Sequence, residues 1–206
     1  STFSKFDGGG NLIFKKLIKN LMSGGYPSDV QYLASGGALI TGNFNNNSVN
    51  KSLIRVDENG DLVDQMNFTV NDVDINSCDD IISSSDNGFL LSCGEYLIKL
   101  DPNFEIDWHF IYDSSGNTRL EYKYIIENNN QEFIIVGDTY NDYGKYDGYF
   151  MKVDIDGNFE NIEFYQNDVH EHSSWSFDNM RISMVAEKAN GGYYFVAHKG
   201  YRNYND

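Results

Sequence analysis

The sequence predicts an all-β fold of repeated four-stranded antiparallel units, the arithmetic of a β-propeller, and three observations carry that prediction. A strand pattern of apolar, variable, basic, apolar and Asp recurs at Phe3 to Asp7, Leu53 to Asp57, Leu97 to Asp101 and Phe150 to Asp154. Its Asp marks stand 50, 44 and 53 residues apart, a blade-sized period. A turn followed by a short apolar run ending in a small residue recurs at Ser35 to Gly42, Asp86 to Cys93, Asn130 to Gly137 and Asn190 to Ala197. Finally, 19 Gly, 15 Tyr and 14 Phe against 2 Pro is the balance of a strand-rich chain with many tight turns. Two hairpins per unit make four strands, the content of one propeller blade.

Taken in order, the first basic strand is followed by Gly8-Gly9-Gly10-Asn11 and a second strand from Leu12 to Lys19. A helix over Ile13 to Met22 competes there, because its apolar positions also fit a period near 3.6. The later basic strands lead through Glu58-Asn59-Gly60-Asp61, Pro102-Asn103-Phe104-Glu105 and Ile155-Asp156-Gly157-Asn158 into outer strands. Gly and Asn at these turns supply the positive φ that tight hairpins require. The recurrent Asp is expected to accept hydrogen bonds from its own turn's amides rather than to hold calcium, since no twelve-residue spacing with a closing Glu is present. The upstream runs are apolar on both sides, as befits inner strands sandwiched between neighbouring sheets.

One domain is expected, with units at 29–68, 78–112, 121–165, and 180–206 completed by 1–19. The chain begins at the third strand of a unit and stops where the fourth unit's third strand is due. Tyr201 to Asp206 would thus lead into Ser1 to Asp7 as Tyr140 to Asp147 leads into Phe150 to Asp154. Four units closed two-plus-two, with the terminal strands paired, are predicted because such pairing leaves no open sheet edge. The alternative is part of a larger propeller cut between strands.

Fifteen Lys plus Arg against 31 Asp plus Glu give a formal charge of −16, which disfavours nucleic acid and anionic membrane as partners. No apolar run has the length of a membrane helix, so no membrane insertion is expected. Cys78 and Cys93 flank a stretch with the turn signal Ser85-Asp86-Asn87-Gly88 midway between them. Two buried thiols are favoured over a cross-strand disulfide, because the place of Cys93 recurs elsewhere as Gly or Ala.

The pattern of a Gly-Gly-aromatic-apolar strand, a polar loop, an apolar-Lys-apolar-Asp strand and an Asn-Gly turn resembles the β-propeller repeats of bacterial secreted and surface-anchored proteins, the SBBP type and its relatives. The resemblance covers nearly all of the chain and rests on structural motifs. It implies the fold and an extracellular or cell-surface setting. The chain departs from that pattern in lacking the Trp that commonly opens the outermost strand, except at Trp108.

The longer, unequal connections form the expected binding face. Tyr140, Tyr143 and Tyr146 stand on or beside one, Tyr201 and Tyr204 on another, and His170, His172 and Trp175 on a third. Aromatic rings amid Asn and Asp suit stacking on sugars and equally suit a protein interface. His170 and His172 could reach one ion on an extended segment, but no second ligand cluster accompanies them, so solvated loop histidines are expected and no metal or cofactor is implied. There is no GxSxG, HExxH or phosphate loop, and no spacing nominates a glycosidase carboxylate pair. The expected function is a non-catalytic module that recognises a glycan or protein partner. The alternatives are a carbohydrate-active hydrolase using loop carboxylates, and a structural subunit of a larger surface assembly.

Overall fold

The computed structural model describes residues 2–17, 26–46, 49–111, 119–140, 146–165 and 178–201. The chain divides into two compact units, Ser1–Ile81 and Ile82–Asp206. All regular structure among the described residues is β.

In the first unit, β1 (Thr2–Phe6) and β2 (Leu12–Leu17) form a hairpin, so the helical alternative fails over the described part of its span. Next comes a four-stranded antiparallel meander of β3 (Tyr26–Tyr32), β4 (Ala38–Asn46), β5 (Val49–Val56) and β6 (Leu62–Met66). A hairpin of β7 (Phe68–Val70) and β8 (Val73–Ile75) follows, where the sequence suggested only a connection. Asn71 and Asp72, both at positive φ, make its two-residue turn.

β9 (Asp80–Ser83), whose first two residues belong to the first unit and last two to the second, forms one meander with β10 (Phe89–Cys93), β11 (Tyr96–Leu100) and β12 (Ile106–Ile111) of the second unit. A further meander comprises β13 (Arg119–Glu127), β14 (Phe133–Tyr140), β15 (Tyr146–Val153) and β16 (Phe159–Tyr165). The last hairpin is β17 (Asp178–Glu187) with β18 (Tyr193–Tyr201).

One turn recurs in every sheet but β7–β8. In each of eight five-residue turns, the first amide donates to the fifth carbonyl and the fourth amide to the first carbonyl, as in Asp57 N to Asp61 O (2.9 Å) and Gly60 N to Asp57 O (3.0 Å). The fourth residue always has positive φ: Gly10, Gly36, Gly60, Asn87, Phe104, Gln131, Gly157 and Gly191. The expected Asp role holds. Asp154 Oδ1 accepts from Asp156 N (3.0 Å) and Asn158 N (2.7 Å), and Asp7, Asp57 and Asp101 repeat the arrangement. Asn128 does the same in the β13–β14 turn.

Burial follows the pleat. In β14, Phe133 and Ile135 face a cluster containing Leu90 and Leu97, while Ile134 and Val136 face Ile182 and Val185. Sheets β9–β12, β13–β16 and β17–β18 therefore stack face to face, which explains why the inner runs are apolar on both sides. In the first unit, Phe3 lies against Ala38, Ile40, Phe44, Ile54 and Val56, stacking the β1–β2 hairpin on the β3–β6 sheet.

In the first unit β1–β2 is a two-stranded sheet that Phe3 holds by its face, and in the second unit β17–β18 is a two-stranded sheet held by Tyr193 and Phe195 against Phe150 and Tyr165. One expectation is corrected. The cysteines are not thiols. Cys78 and Cys93 are disulfide-bonded; Cys78 precedes β9 and Cys93 ends β10, so antiparallel pairing brings both to the same end of one sheet.

Candidate binding face

An antiparallel meander alternates its connections between two ends. In every sheet but β7–β8 the five-residue turns occupy one end and the unequal connections the other. At the loop end of the β13–β16 sheet, the backbone register sets Arg119 opposite Tyr140 and Tyr140 opposite Tyr146. Three strand ends thus carry one rank, and two of its members are tyrosines named from sequence. Tyr201 ends β18 opposite Asp178 at the corresponding end of its hairpin. Tyr143, His170, His172, Trp175 and Tyr204 lie outside the described residues.

Beneath that rank the sheet is rigidly filled. Tyr122 and Tyr149, both fully buried, meet edge to face with ring centroids 6.3 Å apart. The Tyr149 hydroxyl donates to Glu121 O at 3.3 Å, and its pKa is pushed well up by burial and then by neighbouring Tyr122, Asp138 and Glu121. Buried Asp138 accepts from Ile182 N at 3.1 Å and so ties β14 to β17. At the end of β16, Tyr165 packs on Phe195 with centroids 4.9 Å apart and donates to Glu163 at 3.2 Å. Burial, and then the Glu163 carboxylate, raises the pKa of Tyr165. Neutral phenols and apolar rings make a floor suited to presenting loops and unsuited to shuttling protons at neutral pH.

The first unit carries a cavity of about 370 Å³ toward its loop end. Phe3, Pro27, Val30, Ile40, Phe44 and Ile54 wall it, with Ser28 and Asp29 among its polar lining. Pro27 cannot donate to the ladder, and the pairing of β3 with β4 slips between Pro27 and Val30. That bulge turns Asp29 to accept from Ile81 N at 3.1 Å. The repeat pattern of the sequence singles out none of these residues. A proline two residues before an acid at a strand start was the available signal.

The charged groups with displaced pKa values sit mainly at the turn end. Lys99, its side chain fully buried, reaches Asp86 at 2.6 Å. Burial pushes the Asp86 carboxyl up, but Lys99, the Ser84 hydroxyl and Gly88 N outweigh it and hold the pKa below its usual value. Lys152 pairs with Glu132 (2.5 Å) and Glu160 (2.8 Å); the Lys152 ammonium, then Asn128, lower the Glu132 pKa, and the two carboxylates raise that of Lys152. Asp7, Asp57, Asp101 and Asp154 are likewise lowered, the first by Asn11, the next two by amides of Asp61 and Glu105; in Asp154, hydrogen bonds from Asn158, Asp156 and Gly157 outweigh an upward push from burial. Among the described residues, no group of three or more His, Cys, Asp or Glu is placed to hold a metal ion.

No protein-family model matches the chain, and no curated protein sequence matches it significantly. Among solved structures it is similar to a protein of unknown function from Bacteroides caccae, with a TM-score of 0.50 and 10% identity over 78% of this chain. The chain spans 50% of that protein's length. It is also similar to an endo-arabinase from Bacteroides thetaiotaomicron, with a TM-score of 0.42 and 13% identity, covering 94% of this chain and 80% of that one. At 10% identity the first likeness speaks for the fold and for nothing beyond it, an all-β arrangement of antiparallel sheets.

Proposed function

We propose that this chain is a non-catalytic binding module whose sheets are β-propeller blades of a secreted or cell-surface protein of the SBBP-like type. It recognises a glycan or a protein partner through its loop end. The carrying observation is the rank of Arg119, Tyr140 and Tyr146 across three adjacent strand ends, set above the buried Tyr122–Tyr149 pair. Rigid strands below and aromatic, hydrogen-bonding residues above are what a recognition surface needs, since little ordering entropy remains to be lost on binding. Face-to-face stacking of consecutive sheets supports the blade reading.

One further feature favours an exported protein over a cytosolic one. The disulfide between Cys78 and Cys93 supports export, because such bonds persist in oxidising compartments.

The test is a screen of the whole chain on a polysaccharide and glycan array, with Tyr146→Ala and Trp175→Ala beside it. Signal on a defined sugar class that falls about tenfold or more in both variants supports glycan recognition at the loop end. A blank from folded protein removes the glycan branch and leaves the protein partner. Turnover of chromogenic glycosides, abolished by one Asp or Glu substitution, would overturn the non-catalytic reading.

A further inference from the structure

We infer that the glycan read by the loop end of the second unit carries spaced carboxylates, and that Arg119 and Arg181 receive them; the inference rests on the loop-end reading above and adds its ligand class. Two ties fix how the β13–β16 sheet and the β17–β18 hairpin stand together. At the turn end, Asn129 N donates to Glu187 at 3.1 Å. Toward the loop end, Ile182 N donates to Asp138 at 3.1 Å, and a Cβ on Gly148 would lie 2.6 Å from the Ile182 side chain. Asp138 and Gly148 are register partners, so Ile182 stands beside their rank.

β13 and β17 both run from the loop end to the turn end. From the level of Ile182 toward the loop end, Arg181 is one residue on and Met180 two, just as Tyr140 is two residues from Asp138 and Tyr146 two from Gly148. The rank of Arg119, Tyr140 and Tyr146 is therefore level with Met180 and its register partner Lys199, and Arg181 with its partner His198 lies one residue below. One residue of strand is about 3.3 Å in height, and facing sheets lie about 10 Å apart. Arg119, Arg181 and Lys199 are thus set within two ranks of one loop end, with Tyr140 and Tyr146 in the upper of them.

Charge selects the ligand. In a molecule of −16, fixed cations are scarce, and their gathering at one place favours an anion there. The two carboxylates in the rank of Asp138 are engaged: Asp138 accepts from Ile182 N, and Glu121 pairs with Lys123 at 2.9 Å. A guanidinium presents a planar fork that matches a carboxylate through two parallel hydrogen bonds, and tyrosine rings suit the sugar that bears it. The connections in sequence between these strands bring Asp113, Asp142, Asp168 and Glu171. Like charges there repel a densely charged polyanion, so a polysaccharide with spaced uronate groups fits where a sulfated chain does not.

The probes are glucuronoxylan and highly methyl-esterified pectin, each beside the same polymer after chemical reduction of its carboxyl groups, with heparin as the dense polyanion. In titration of the whole chain, affinity for at least one native polymer should fall about tenfold or more on carboxyl reduction, and about as much in Arg119→Gln and in Arg181→Gln with far-ultraviolet dichroism unchanged. Arg119→Lys, which keeps the charge and loses the fork, should recover only part of the loss. Reducing the polymer leaves the protein untouched, so that comparison does not depend on how a variant folds. Equal binding of native and reduced polymers that is lost in Tyr146→Ala overturns the carboxylate inference and keeps the loop-end reading. Tighter binding of heparin than of either uronate polymer overturns the inference as well. So does a failure to bind either native polymer: a neutral sugar found on the glycan array then leaves the loop-end reading standing, and a blank array removes the glycan branch with it.

Discussion

A single backbone requirement, a left-handed fourth residue in every five-residue turn, sorts the residues at that position into comfortable and strained. Gly fills it in five turns and Asn87 in one, but Phe104 sits at φ 69° and Gln131 at φ 63°. Phe104 has compensation, since its ring stacks on Phe89 with centroids 5.7 Å apart. The Gln131 side chain is exposed. Gln131→Gly should therefore stabilise the protein by about 0.5 to 1 kcal/mol in urea titration. Gly157→Ala should do the reverse by about 1 to 3 kcal/mol, because its φ is +86° and a Cβ would lie 2.7 Å from Trp108 Cδ2. Acid sensitivity is also set by single residues. Asp86 has a folded pKa below its ordinary 3.8, so its contribution is present above that value and fades as pH falls through the lower folded one. Asp154 and Glu132 share the sign. Thermal midpoints should thus drop between pH 5 and pH 2 in a titration of about these bounds, and Asp86→Asn should flatten part of that drop.

Hairpins were the most legible elements because everything that makes them is local. Apolar alternation, the Asp that accepts two turn amides and the Gly three places on are all contained in some ten residues, and the four basic hairpins share even their register slip, as between Arg55 and Val56 and between Lys99 and Leu100. β7 and β8 escaped notice because three-residue strands show no period, although Asn71-Asp72 is a turn signal. The missing outer-strand Trp has a local answer as well. Trp108 stands opposite Lys99, donates Nε1 to Ile155 O at 3.0 Å and covers Gly157. Phe14 stands opposite Lys5 and covers Gly60 in the same way. An aromatic of either kind therefore seals one sheet on the next sheet's turn. Trp108→Ala should cost about 2 to 4 kcal/mol, and Trp108→Phe should recover most of it, as read from chemical denaturation. Equal losses in both variants would assign the seal to the indole hydrogen bond instead of the ring.

At the scale of the whole molecule, sequence periodicity ran out where contacts join distant segments. The four-fold repeat named the strands of the four-stranded sheets and of the β1–β2 and β17–β18 hairpins, whereas long-range closure depends on pairing that no local pattern encodes. The binding face shows the same limit: strand-end tyrosines such as Tyr140 and Tyr146 were readable as loop-end residues, while the cavity beside Phe3 and Val30 arises only from stacking one sheet on another. The disulfide was hidden for a related reason. The place of Cys93 recurs as Gly42, Gly137 and Ala197, so the repeat itself argued for a small buried residue there. Closing the segment between Cys78 and Cys93 removes chain entropy from the unfolded state, worth about 3 kcal/mol for a loop of this length. Reduction should accordingly lower the thermal midpoint without changing the far-ultraviolet spectrum below it. A Cys78→Ser, Cys93→Ser double variant should match the reduced protein, because the bond acts on the unfolded chain and the sheet carrying Leu90, Leu97 and Ile98 keeps its buried side chains without it. If the variant instead lost its β-sheet signal at room temperature, the bond would be a condition of folding at that sheet and not an increment on it.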